Sequence, residues 1–195
     1  MTRTVAIYVF DNVEVLDFAG PYEVFSCASR MHGAPLPFKV RLIGQRAATL
    51  RARAGLKVVP DAVFSDAGQP DLLLIPGGVM TAELDKPEVI QWIAATAPGC
   101  ELVASVCTGS FLLAAAGLLD GQEASTHWAD VNDMRQQFPQ VQVRDGRRWI
   151  DNGRVVTSAG ISAGIDMALH LVERLAGREL ALRTARQMDY HWSAA

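Results

Sequence analysis

Dense apolar runs alternate along the chain with segments whose apolar residues recur at helical spacing. Val5 to Phe10 is the first such run, and Asp11-Asn12 closes it as a turn at the carboxyl end of a strand. After Gly20-Pro21, the residues Val24, Phe25 and Ala28 keep helical spacing, which places Asp17 in the loop or first turn of a helix. Phe38 to Ile43 alternates and predicts a second strand, while residues 48–54 and 56–59 predict a short hairpin bending near Gly55. Leu72-Leu73-Leu74-Ile75 has no polar position, the pattern of a strand covered on both faces of a parallel sheet, and Pro76-Gly77-Gly78 stops it. Pro87 to Ala97 reads as an amphipathic helix with proline at its start. Leu102-Val103-Ala104 predicts another buried strand, and Phe111 to Ala116 a helix ended by Gly117.

Further on, Ala124 to Trp128 predicts a short strand and residues 129–138 a helix that Pro139 ends. Residues 141–143, 149–150 and 155–157 predict a meander with turns at Asp145-Gly146 and Asn152-Gly153. Helices over about 165–176 and 179–188 complete the pattern. Strands alternating with helices imply an α/β fold, a doubly wound and mostly parallel sheet with some antiparallel additions. A length of 195 residues fits one such domain, taken as 1–195.

The candidate chemistry lies where the strand at 102–104 passes into the helix at 111–116. Cys107, with Thr108, Gly109 and Ser110 opening the helix, occupies the carboxyl edge of the sheet, where open α/β folds place ligands. A thiol on such a strand-to-helix turn has the geometry of a nucleophile elbow, and the helix end favours thiolate over thiol. Cys27 and Cys100 lack that context and read as small buried apolar residues. The turn Gly77-Gly78 ends a neighbouring strand on the same edge, and its backbone can approach a ligand closely. On the bare sequence, Asp17 reads as a helix cap and Glu23 as an exposed first-turn acid. His127 reads as a wall residue or a base, with nothing in the spacing to decide.

Composition narrows the partners. The chain is 50% hydrophobic and 20% charged with net charge −3, and its densest basic cluster is Arg144 to Arg148, so no nucleic-acid partner is expected. Three cysteines without a CxxC pair suggest neither a disulfide framework nor a zinc site, and no cofactor is implied. The amino terminus lacks the pattern of a signal peptide, and no membrane partner is expected, which together imply a cytoplasmic location.

The sequence resembles the ThiJ/PfpI superfamily, relatives of the class I glutamine amidotransferases, through LDFAGPYEVF at 16–25, PGG at 76–78, SVCTGSFLLAAAGLLDG at 105–121, ASTHW at 124–128 and SAGISAGID at 158–166. Leu-Asp-x-x-Gly-Pro together with Ser-Val-Cys-Thr-Gly looks most like isocyanide hydratases and the amidase-like sensor domains of AraC-type regulators. Thr108 stands where the intracellular peptidase branch carries histidine, which argues against a peptidase. The resemblance implies a flavodoxin-like sandwich and a homodimer, with apolar surface on the first helix or the hairpin as its interface. It implies that Cys107 is the nucleophile and Asp17 the acid beside it. Thr108 and the Gly78 backbone N–H become donors to developing charge, with Gly77, Ile161, His127 and Glu23 around the pocket. The expected reaction is hydration or hydrolysis of a small molecule, most concretely an isocyanide to an N-substituted formamide. Two alternatives stand beside it. One is a non-catalytic sensor domain, which the chain's end at Ala195 without a helix-turn-helix region disfavours. The other is glyoxalase-like chemistry, for which a glutamate near the Glu23 position would serve.

Overall fold

The computed structural model describes residues 1–192; the last three residues of the predicted 1–195 domain lie outside the described residues. From the amino terminus, β1 (Arg3–Tyr8) leads into α1 (Val15–His32), followed by β2 (Phe38–Gly44), the hairpin of β3 (Leu50–Arg51) with β4 (Lys57–Val58), and β5 (Ala62–Val63). Then come β6 (Leu72–Ile75), α2 (Thr81–Leu84), α3 (Pro87–Thr96), β7 (Leu102–Val106) and α4 (Gly109–Ala115). The remainder is β8 (Glu123–Ala124), α5 (Val131–Gln137), β9 (Gln142–Val143), β10 (Trp149–Asp151), β11 (Val155–Ser158), α6 (Ala163–Ala176) and α7 (Arg178–Gln187).

Seven strands form the central sheet in the order β10-β11-β7-β6-β1-β2-β5, all parallel except β10, which runs antiparallel to β11. Every residue of β6 and β7 is buried, as strands at the centre of a parallel sheet covered on both faces must be; Ser105 is the one polar residue among them. Helices α1, α6 and α7 pack against one another, and α2, α3 and α4 form a second group, with the sheet between them. The chain winds one way from β1 to β2 and β5, and the other way through β6, β7 and β11. The reversal falls between β1 and β6, so the crevice outside their carboxyl ends is where such a sheet receives ligands. Backbone bonds stitch the two loops there: the Glu14 N–H donates to Gly77 O at 2.9 Å and the Val79 N–H to Asn12 O at 3.2 Å.

Three elements depart from the sequence expectation. Helix α1 starts at Val15 and carries Pro21 inside it, so Asp17 sits in its first turn. The strand expected over 124–128 reduces to Glu123–Ala124; beyond it the Ser125 N–H donates to Thr157 Oγ1 at 2.8 Å, a side chain replacing a ladder partner. The segment at 141–143 is not part of a meander, because β9 pairs in parallel with β8 in a separate two-stranded sheet. Among the described residues no helix is long and apolar enough to cross a membrane.

Candidate active site

Cys107 follows β7 with φ of 56°, a left-handed conformation that a residue with a side chain holds only where its surroundings impose it. Those surroundings are visible. The Cys107 N–H donates to Ser158 O at 3.1 Å, and its carbonyl accepts from the hydroxyls of Ser110 and Thr126, each at 3.1 Å. Glycines let the neighbouring chain close in. A Cβ on Gly109 would lie 2.1 Å from Ile75 O, and one on Gly160 would lie 2.7 Å from Cys107 Sγ. Cys107 is 7% exposed and lines a cavity of about 190 Å³.

Asp17 is fully buried and caps nothing: its Oδ2 accepts the Gly77 N–H at 3.1 Å, and its Oδ1 has no hydrogen-bond partner. Burial drives its pKa up to about 7; the Gly77 N–H opposes that shift, while the charge of Glu14 adds to it. The Cys107 thiol is also pushed up, first by burial and then by the charge of Asp17, against the pull of the Thr108 N–H and hydroxyl. Burial thus outweighs the end of the seven-residue α4, the reverse of the thiolate preference expected from sequence. Both groups are thus held toward their neutral forms, and one Asp17 oxygen is left without a hydrogen-bond partner.

Thr108 is tied to the glycine turn on both sides: the Gly78 N–H donates to Thr108 Oγ1 at 3.0 Å, and that hydroxyl lies 3.1 Å from Gly78 O. The Gly78 N–H is therefore engaged, not free for an incoming anion as expected, and the Thr108 N–H is the donor facing the sulfur. Gly77 is equally constrained, since a Cβ there would meet Thr108 N at 2.7 Å and Asp17 Oδ2 at 2.8 Å.

His127 and Ile161 both line the cavity, with Glu14, Arg53 and Asp130. Nδ1 of His127 lies 3.0 Å from Asp130 Oδ2, and its Cδ2 edge faces the same Gly160 position as the sulfur does. Asp130 is a site residue that the sequence reading does not name, although the His-x-x-Asp spacing at 127–130 is a signal for it; Gly160 belongs to the SAGISAGID stretch at 158–166. Glu23 does not join the site. It is exposed on α1 and pairs with Arg30 at 2.7 Å, because the helix turns it toward solvent while Asp17 faces the sheet. Among the described residues no group of three or more His, Cys, Asp or Glu side chains is placed to hold a metal ion.

A buried cysteine on a strained strand-to-helix turn, with a carboxyl group from the β1 crossover against it, is set in a sheet of flavodoxin-like order. The sequence model of the DJ-1/PfpI family matches residues 3–174. The chain belongs to this family. Among DJ-1/PfpI proteins it is 34% identical over 192 residues to the isonitrile hydratase of Pseudomonas putida, an overlap covering 97% of this chain and 79% of that one. It is 31% identical over 188 residues to the HTH-type transcriptional regulator GbdR of Pseudomonas aeruginosa, covering 96% of this chain but only 51% of the regulator, so it spans about half that relative's length. The crystal structure of a ThiJ/PfpI family protein from Pseudomonas syringae superposes with a TM-score of 0.88 at 26% identity, covering 99% of this chain and 77% of that chain.

Proposed function

We propose that this DJ-1/PfpI chain hydrates a small electrophile through Cys107, most concretely an isocyanide to an N-substituted formamide. The observation that carries the reading is the pairing of a buried thiol with a buried carboxyl group whose free oxygen has no other partner and whose pKa lies near neutrality. Asp17 takes the thiol proton as Cys107 Sγ bonds to the isocyanide carbon, then delivers that proton to the same carbon. The product is a thioimidate, with a carbon–sulfur bond and a carbon–nitrogen double bond. Asp17, again a carboxylate, removes a proton from water as its oxygen adds to the thioimidate carbon. Nitrogen takes that proton from Asp17, the carbon–sulfur bond breaks as the new hydroxyl becomes the formyl C=O and its proton passes to sulfur, and the formamide leaves with the thiol restored. The Thr108 N–H stabilises charge on sulfur at both steps. His127, held through Nδ1 by Asp130, forms the facing wall.

The test is consumption of an aryl isocyanide by purified protein, followed as formamide release. Wild type should turn over, and Cys107→Ala should not while unfolding at a similar temperature; equal turnover by both proteins would end the reading. A second reading, a ligand-sensing domain, draws on the 31% identity to GbdR across nearly the whole chain. It expects small-molecule binding that survives Cys107→Ala and no release of product. The glyoxalase-like alternative loses its glutamate at position 23, which faces solvent beside Arg30.

A further inference from the structure

The 190 Å³ cavity at Cys107 has room for a reacting group and little more, but a second, larger space adjoins it. A cleft of about 480 Å³ shares Gly78, Thr108 and Asp130 with it, so the two lie side by side on the same three residues. Its size falls in the range of small-molecule sites. The lining divides by chemistry. Val79, Met80, Leu84 and Phe111 supply an apolar wall, and Val79 is half exposed there. Half-buried Asp130 and the exposed Asp85 and Asp133 supply carboxylates, and among the described residues no lysine or arginine lines the space.

The wall is built rather than incidental. Helix α2 has only four residues and cannot hold itself in water. Glu83, 1% exposed, fixes it: its two oxygens accept the Tyr8 hydroxyl and the Lys86 ammonium, each at 2.5 Å. That contact anchors α2 to β1 and also engages the charge of Lys86 in the turn between α2 and α3.

We infer that this cleft receives the substituent of the electrophile and selects an apolar arm that ends in a positive charge. The inference rests on the reading of Cys107 as the nucleophile. The reacting carbon sits at the sulfur, the apolar arm lies along Met80, Leu84 and Phe111, and the cation stands among Asp85, Asp130 and Asp133.

Two iodoacetamides with the same phenylethyl arm, one ending in an ammonium and one in a carboxylate, test it without depending on isocyanide turnover. In each, Sγ forms a carbon–sulfur bond, iodide leaves and the thiol proton passes to Asp17 or buffer. Labelling of Cys107 is followed by peptide mass spectrometry at low salt and normalised to glutathione. The ammonium reagent should react roughly ten-fold faster, and the ratio should collapse towards one in the Asp85→Asn/Asp133→Asn double variant. Equal rates in wild type, a preference for the carboxylate, or a ratio unchanged in the double variant would overturn the inference. A Cys107 that neither these reagents nor plain iodoacetamide labels would instead overturn the nucleophile reading, and this inference with it.

Discussion

One burial makes the same demand on the two residues that meet at the turn after β7. Removing Asp17 and Cys107 from water disfavours the charge of each, so the pair holds two protons at low pH and gives up the first only near pH 7, where Asp17 titrates. The competent state holds one proton, available to move from sulfur to carboxylate to substrate, so kcat/KM should rise as pH passes about 7. Asp17→Asn keeps an acceptor for the Gly77 N–H but cannot carry the proton, and turnover should fall roughly 10²–10⁴-fold. Its effect on stability has a definite sign. The folded pKa of Asp17, about 7, lies above its ordinary value of 3.8, so its contribution is intact below about pH 4 and is lost as pH rises to about 7. The loss saturates above that at on the order of 4 kcal/mol, from 1.36 kcal/mol per unit. Urea unfolding of wild type and Asp17→Asn from acid to mildly alkaline pH should therefore show the variant's advantage growing up to about pH 7 and then holding. A constant difference across that range would refute a raised carboxyl pKa. The residue pattern reads both Asp17 and Glu23 as early helix acids, and only the family resemblance picks out Asp17. What separates them is a helical rotation and the Gly77 N–H, sixty residues away and visible only once β1 and β6 lie side by side.

At the scale of elements, what the sequence made legible was what local pattern decides. The apolar runs of β6 and β7, the Asn152-Gly153 turn joining β10 to β11, and Gly117 at the end of α4 follow from burial and turn chemistry. What it concealed depended on partners distant in the chain: β9 alternates well enough for a meander, yet pairs with β8, and Thr157 takes a ladder position with its side chain. The glycines of the elbow belong to the second kind, because their necessity comes from the opposing strand. Gly109 begins α4 so close to the end of β6 that a methyl group would fall 2.1 Å from Ile75 O. Gly109→Ala must push α4 off β6, moving Cys107 with it, and should cost about 3 kcal/mol. Chemical denaturation measures that cost. Activity should drop by more than the lost folded fraction explains, since the displaced sulfur no longer faces Asp17; retained specific activity in the folded fraction would show that the elbow tolerates the shift.

For the whole molecule, the question is what covers the apolar residues left outside. Leu16 and Tyr22 on α1 are 40% and 37% exposed, and Leu56 in the β3–β4 hairpin is 49% exposed. Leu16 lies one residue before Asp17, so the surface it belongs to is on the helix that carries the carboxyl group. A homodimer closing over α1 and the hairpin, as the family resemblance implies, would cover these positions and stiffen the first turn of α1. Light scattering should then give twice the mass of the chain for wild type, and a Leu16→Glu/Tyr22→Glu variant should run as a monomer with its fold retained. Because the same first turn presents Asp17 to the sulfur, the monomeric variant should also lose turnover, with kcat falling more than KM rises. A wild-type protein that is monomeric at all concentrations used would place the exposed residues of α1 outside any self-association. Full activity in the charged variant would separate the dimer from the placement of Asp17.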